Sequence, residues 1–171
     1  MRPALLIVAA ALLSTPLRAQ TCAGPLDIGA LTGAPLSNAY GVSADGSVVV
    51  GGTDSGPSVW ARRAFRWTAS GGAQDLGTQF GAAALGVNAD GSVVVGSLQG
   101  PWHPVSPHAF RWTAPAGPED LGTLGGNAST AVGVSADGGV VVGHSTDATG
   151  DTRAFRWTVT GGMQDLGPLP A

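Results

Sequence analysis

The feature that most constrains this chain is a repeat of about 45 residues that runs through most of its length. Three motifs recur in phase: Ala-Phe-Arg-Trp-Thr at 64–68, 109–113 and 154–158, Asp-Leu-Gly at 75–77, 120–122 and 165–167, and Gly-Val-(Ser/Asn)-Ala-Asp-Gly at 41–46, 86–91 and 133–138. A residue that recurs in every unit has the same role in every unit, and that role is usually structural. The sequence therefore predicts a repeat domain over 20–171, with units at about 27–74, 75–119 and 120–167.

Each unit contains four short stretches with the pattern of β-strands, which we name A to D. In the first unit they lie at about 40–43, 47–52, 64–68 and 73–77. Asp-Gly turns connect A to B, and a glycine ends each C–D turn, as in type I turns with a bulge. Glycine, valine and threonine are common and lysine is absent, which also favours strands over helices. The predicted fold class is all-β.

The turns also predict how the strands pair. Pairing Ser43 with Ser47 would place four apolar residues on one face of strands A and B: Tyr40, Val42, Val48 and Val50. Gly41 would begin the opposite face, and a glycine there predicts that another backbone approaches strand A closely. Three pairs are predicted across the C–D hairpins: Arg66 opposite Gln74, Arg111 opposite Glu119 and Arg156 opposite Gln164.

A four-stranded unit of about 45 residues has the size of one β-propeller blade. Three units and a further D-like segment at 25–29 give thirteen strands. Because a closed propeller usually needs at least four blades, the sequence predicts a propeller-like array with three units. Such an array is open, is closed by oligomerisation, or is shortened from a longer protein, and an open solenoid of hairpins is the structural alternative.

The N-terminal residues 1–19 have the layout of a secretory signal peptide. Arg2 precedes an apolar run at 4–13, and Ala19 offers a small residue for cleavage. The run is shorter than the roughly 20 apolar residues that span a bilayer, and no second run follows, so no membrane anchor is expected. The predicted location is secreted or periplasmic. Cys22 is the only cysteine, which excludes an intrachain disulfide and a clustered-cysteine metal site.

Two segments carry a resemblance to a known family. His-Ala-Phe-Arg-Trp at 108–112 and Asp-Leu-Gly-Thr-Leu-Gly-Gly at 120–126 resemble the bacterial extracellular HAF repeats, and the similarity extends over residues 27–167. Arg63 and Arg153 stand where that family has a histidine. The resemblance implies a secreted or surface-exposed, propeller-like protein of undefined activity.

Several repeated side chains are predicted to belong to the frame. Phe65, Trp67 and their counterparts are expected in the core, because buried aromatic rings dominate such packing. Asp45, Asp90 and Asp137 are expected to serve the turns, since they lack the further acidic residues of a calcium loop. Asp75, Asp120 and Asp165 are expected to accept backbone N–H bonds at the ends of strands.

The segments between strands B and C vary most from unit to unit, at 52–63, 97–108 and 144–153. We predict a binding face there from residues that the frame does not require: Trp60, Arg62, Arg63, Trp102, His103 and His108. Indole rings suit stacking on sugars or peptides, and arginines supply hydrogen-bond donors. No metal or other cofactor is expected, because histidines in a proline-rich loop are more often solvated than bound to a metal.

These features favour a secreted, non-catalytic repeat protein that is structural or binds a glycan or cell-surface protein. A net charge of −3 without a basic run argues against a nucleic-acid partner, and a homo-oligomer remains open. One alternative is a secreted polysaccharide hydrolase or lyase, whose carboxylates would come from a short set: Asp54, Glu119, Asp147 and Asp151. The other is a degenerate fragment of a longer surface protein.

Overall fold

The computed structural model describes residues 28, 34–54, 62–78, 81–99 and 106–167. These residues form twelve strands: β1 (Leu36–Val42), β2 (Val48–Asp54), β3 (Arg63–Thr68), β4 (Gly72–Asp75), β5 (Ala83–Val87), β6 (Val93–Leu98), β7 (His108–Thr113), β8 (Gly117–Asp120), β9 (Gly125–Val134), β10 (Val140–Asp147), β11 (Thr152–Thr158) and β12 (Gly162–Asp165). They make three four-stranded antiparallel sheets in which each strand pairs with its neighbour along the chain. The described residues include no helix that could span a membrane.

The all-β class and the four strands per unit are confirmed. The sheets run from 36 to 75, 83 to 120 and 125 to 165, so each contains one complete A–B–C–D set. The D-like segment at 25–29 lies outside the described residues except for Ile28, which is not in a strand.

The A–B turns are built as expected from their aspartates. Oδ1 of Asp45 accepts the Ser47 N–H at 3.0 Å, and the same contact recurs at Asp90 and Asp137. Gly46 has a φ of 74°, which suits the last turn position. A hydrogen bond from the Ser43 hydroxyl, followed by those from Ser47, lowers the pKa of Asp45 to about 2. The aspartates therefore serve the turns.

The predicted C–D register is confirmed in all three sheets. Each arginine at the centre of strand C pairs with its predicted partner: Arg66 with Gln74, Arg111 with Glu119 and Arg156 with Gln164. Phe65 pairs with Asp75, which places the strand-end aspartate on the aromatic face.

The predicted A–B register is wrong by one residue next to the turn and correct beyond the bulge, where Ala39 pairs with Gly51. Val42 pairs with Val49 and Gly41 with Val50, and a bulge lies at Tyr40. The turn closes between Ser43 and Val48, because the Ser43 N–H donates to the Val48 carbonyl and the Val48 N–H donates to the Ser43 hydroxyl. Val42 consequently lies on the same face as Val49 and Trp67, opposite to Val48 and Val50, and both Tyr40 and Val42 are exposed.

The predicted close approach at strand A is present. A Cβ built on Gly41 would lie 3.5 Å from Cα of Gly86, and one built on Gly86 would lie 3.6 Å from Cα of Gly133. The backbones of neighbouring inner strands therefore lie within van der Waals reach of each other at these glycines. The strands β1, β5 and β9 therefore form the inner edge of the array, where neighbouring sheets are closest.

Each sheet has two apolar faces. The valine face of the first sheet consists of Val48, Val50, Ala64 and Leu76, and its aromatic face of Val42, Val49, Phe65 and Trp67. The valine face of the first sheet packs against Val94, Phe110 and Trp112 of the second sheet. The second sheet packs in the same way against Val141, Phe155 and Trp157 of the third sheet. Its valine face consists of Val93, Val95, Ala109 and Leu121. The core is thus made of two valine-to-aromatic interfaces. The expected burial is confirmed for Phe65, Phe110, Trp112, Phe155 and Trp157, whereas Trp67 is only half-buried.

Candidate functional site

The connections of each sheet divide between two ends. In an antiparallel meander the A–B and C–D turns lie at one end, and the B–C connections lie at the other. The second end, which we call the B–C end, carries the segments that vary between units. In the described part of the chain it also carries five of the six ion pairs.

In the first sheet two exposed arginines pair with two aspartates at the B–C end. The Arg62 guanidinium lies 3.5 Å from the carboxylate of Asp54 at the end of β2. The Arg63 guanidinium donates at 2.8 Å to Asp75 at the end of β4. Both arginine side chains are more than half exposed, so each pair is worth at most about 1 kcal/mol. Their charges remain accessible to a partner.

In the second sheet a histidine takes the place of the second arginine. Nδ1 of His108 lies 2.9 Å from Oδ2 of Asp120, in the position that Arg63 and Asp75 have in the first sheet. The His108 residue is only 8% exposed. The contact joins the start of strand C to the end of strand D, so His108 contributes to the frame.

In the third sheet the equivalent arginine turns toward the B–C connection. Nε of Arg153 donates to Asp147 at 2.9 Å, and its Nη2 donates to Asp151 at 3.2 Å. Asp147 also accepts hydrogen bonds from the Thr149 N–H, the Thr149 hydroxyl and the Asp151 N–H. The Thr149 hydroxyl, and then Arg153, hold the pKa of Asp147 well below its usual range. Asp147 is therefore an ionised anchor of a tight loop.

The aspartate at the end of each strand D accepts a backbone N–H, as the sequence predicts. Oδ1 of Asp75 accepts from Gly77 at 2.9 Å. The same bond is 2.8 Å long from Gly122 to Asp120 and from Gly167 to Asp165. The repeated aspartates thus have a shared structural role.

A shallow depression lies between the first and second sheets at the B–C end. Its lining residues come from β1, β2, the start of β5 and the residues just before β3 and β5: Asn38, Tyr40, Gly52, Thr53, Asp54, Arg62, Ala82 and Ala83. Its cavity volume is about 20 Å³, far less than the ~300–1,000 Å³ of small-molecule pockets. Within the described ranges, no three His, Cys, Asp or Glu side chains gather as metal ligands.

The predicted binding face is only partly visible. Arg62 and Arg63 are exposed beside the depression, and His108 is buried against Asp120. Three further predicted residues lie outside the described residues: Trp60, Trp102 and His103. The sequence reasoning missed the network around Asp147, although an Asp-x-x-x-Asp-x-Arg spacing in a short connection is a signal for it.

The comparisons with known proteins identify the fold and no family. No family model matches the chain, and no curated protein matches it. The crystal structure of TolB from Acinetobacter baumannii is similar with a TM-score of 0.59 and 15% identity, over 84% of this chain and 35% of that one. The structure of putative TolB from Agrobacterium tumefaciens is similar with a TM-score of 0.54 and 16% identity, over 77% and 49%.

Both structures are β-propellers, and this chain spans between about a third and a half of their length. The fold of this protein is therefore all-β and propeller-like. At these identities the likeness concerns the fold alone.

Proposed function

We propose that this chain is a non-catalytic, extracytoplasmic binding module that presents the B–C end of its sheets to a protein partner. The observation that carries the proposal is that the repeated residues have structural roles, whereas the residues that vary between units lie at the B–C end. The turn aspartates and the strand-end aspartates accept the same backbone hydrogen bonds in all three sheets. What differs from sheet to sheet is the charged B–C end.

The shape and charge of that end support a protein partner. Interfaces between proteins are broad and shallow, and arginine is enriched in them. The depression beside Arg62 is too small to bury a drug-sized ligand, but its exposed arginine and mixed charges suit a polar protein surface. A glycan remains the competing ligand, because the predicted indole rings of the binding face suit sugars as well.

The state of the carboxylates supports a non-catalytic role. A glycosidase needs a general acid whose pKa is raised, and a second carboxylate across the scissile bond. The four carboxylates considered for such a role each contact an arginine: Asp54 contacts Arg62, Glu119 contacts Arg111, and Asp147 and Asp151 contact Arg153. The pKa of Asp147 is lowered, which is the wrong direction for a general acid.

The extracytoplasmic location rests on the N-terminal sequence. Residues 1–19 have the order of a signal peptide, with a basic start, an apolar run and a small residue at the cut. We therefore expect the partner among envelope or extracellular proteins of the same cell or its surroundings.

The test compares binding by the wild type with two variants of equal net charge. Arg62→Ala/Arg63→Ala removes two positive charges from the B–C end. Ala69→Glu/Ser70→Glu adds two negative charges at the opposite end, where both residues are exposed, so each variant lowers the net charge by two. The mature proteins are screened against purified envelope proteins of the source cell and against a glycan array. We expect an envelope protein that binds the wild type and the control but loses about tenfold in affinity to the arginine variant, equal to ~1.4 kcal/mol.

Binding to glycans alone, or equal affinities of the two variants for every protein bound, would show that the B–C end is not a protein-binding surface. Hydrolysis of any array glycan would show that the chain is an enzyme.

A further inference from the structure

The third sheet leaves its valine face uncovered. Val142 is 40% exposed and Leu166 is 58% exposed, and Ala154 is also exposed. Their counterparts in the first and second sheets are nearly inaccessible, at 8% or less: Val50, Ala64, Leu76, Val95, Ala109 and Leu121. The residue types are the same, so the third sheet has the composition of an interior face without the cover that the other two have.

The first sheet leaves its aromatic face uncovered, and this is the kind of face on which a valine face packs in the other two sheets. Val42 is 60% exposed, whereas its counterparts Val87 and Val134 pack against the two core clusters. Val49 and Trp67 are half-buried, but the equivalent residues of the other sheets are buried: Val94, Trp112, Val141 and Trp157. The array therefore has a valine face at one end and an aromatic face at the other.

Hydrogen bonds between the A–B turns also run from each sheet to the next and, in the part of the chain that the structure describes, leave one unused group at each end of the array. The Ala44 N–H donates to the Ala89 carbonyl at 3.1 Å, and the Ala89 N–H donates to the Ala136 carbonyl at 3.2 Å. The next donor in the series, the Ala136 N–H, has no acceptor among the described residues. The matching acceptor is the carbonyl of Ala44, at the other end of the array.

The arginines of strand C also reach from each sheet to the next. Nε of Arg66 donates at 3.0 Å to the Gly91 carbonyl in the following A–B turn. Arg111 lies over the Trp157 ring of the following sheet, 5.9 Å from its centroid. Arg156 holds the same place in the third sheet, where the described residues include no following sheet.

We infer that a second copy of this chain covers both faces, so that two copies close head to tail into a ring of six four-stranded sheets. The valine face at one end and the aromatic face at the other are the two sides of an interface that each chain already makes twice. Packing one on the other therefore needs no new kind of contact. An interface of this heterologous type closes into a ring when its rotation permits. Six sheets lie within the four to eight blades of closed propellers.

In the ring, the valine face of the third sheet packs on the aromatic face of the first sheet of the other copy. The Ala136 N–H donates to the Ala44 carbonyl of that copy, and Arg156 reaches its A–B turn beside Gly46. Both junctions form at once, which makes the closed dimer more stable than either contact alone.

The first experiment measures the molar mass of the mature protein by light scattering across a range of micromolar concentrations. We expect twice the monomer mass for the wild type and for Val159→Asp, whose side chain is 70% exposed in a C–D turn. Leu166→Asp places a charge on the uncovered valine face, and we expect it to weaken the dimer at least tenfold. A monomeric wild type, a mass that grows beyond that of a dimer, or an unaffected Leu166→Asp dimer would overturn the inference.

The second experiment does not depend on how well Leu166→Asp folds. Two proteins are prepared in a Cys22→Ser background, one with Ala44→Cys and one with Ala136→Cys, since both alanines are exposed. A direct backbone hydrogen bond brings the Cα atoms of its two residues to roughly the 4.4–6.8 Å separation that a disulfide spans, and exposed turn residues can adjust to form the bond. We expect an intermolecular disulfide when the two proteins are mixed under mild oxidation, and little when either is oxidised alone. Equal linkage with Ser70→Cys in place of Ala44→Cys would refute the head-to-tail arrangement.

Discussion

Two adjacent buried glycines on β2 differ in what a methyl group would meet, and they give the sharpest test of the strand packing. A Cβ on Gly51 would overlap the carbonyl of Asn38 on β1 and would lie 2.9 Å from Cε1 of Phe65. A Cβ on Gly52 would meet nothing closer than 3.6 Å, at Ala82 and Ala83 of the next sheet. Neither glycine has a positive φ, so backbone strain does not separate the two.

Gly51→Ala should therefore be strongly destabilising. Overpacking costs typically 1–3 kcal/mol, and here the clash is with a backbone carbonyl that no rotamer change can relieve. We expect a loss of about 3 kcal/mol or more, out of a typical stability of ~5–15 kcal/mol. For a domain of this size that corresponds to a fall in Tm of roughly 6–12 °C.

Gly52→Ala is the matched control. Its methyl group makes ordinary van der Waals contacts, and alanine restricts the unfolded chain, so stability should change little or rise by about 0.4–1 kcal/mol. Urea unfolding followed by tryptophan fluorescence measures both variants. Equal losses in the two variants, or a Gly51→Ala loss below about 0.5 kcal/mol, would refute the packing described for β1 and β2.

Three further predictions concern the core, the turns and the N-terminus. Trp112→Ala should cost about 3–5 kcal/mol and Val159→Ala clearly less, because Val159 is 70% exposed in a turn; equal urea midpoints would contradict the core. Folding lowers the pKa of Asp45 to about 2 from 3.8, so its stabilising effect is complete above about pH 4 and disappears as the pH falls toward 2. Asp45→Asn should flatten this acid limb in denaturation curves, and an unchanged curve would speak against the turn. N-terminal sequencing of the exported protein should find a start between Gln20 and Gly24, and an intact N-terminal methionine would disprove processing.

The parts of the fold that follow from local chemistry were predictable from the sequence. The strands and the C–D pairing follow from period-2 patterns and from turns whose glycines permit few geometries, as the pairing of Arg66 with Gln74 shows. The A–B register did not follow, because three consecutive valines offer an apolar residue to both faces. The hydrogen bond from the Val48 N–H to the Ser43 side chain and the bulge at Tyr40 decide it.

The candidate site was predictable only where a charged residue departs from the repeat. Arg62 and Arg63 lie at the exposed B–C end, as their position in a variable segment indicates. His108 also lies in a variable segment, but it is buried against Asp120, since its position belongs to the start of strand C. Sequence distance alone does not reveal that Arg153 turns back to Asp147, because the choice between Asp147 and Asp165 is made by the shape of a four-residue connection.

The glycines at the inner edge of the array also determine its curvature. Neighbouring sheets almost touch along β1, β5 and β9, where the facing residues are Gly41, Gly86 and Gly133. Farther out, the rings of Phe110 and Trp112 separate the same sheets. The side chains between neighbouring sheets are thus larger at the outer strands than at the inner strand. The sheets are therefore farther apart at the outside, and each is inclined to the one before it. Larger residues at the inner edge would make the sheets more nearly parallel, and more of them would then be needed to complete a circle.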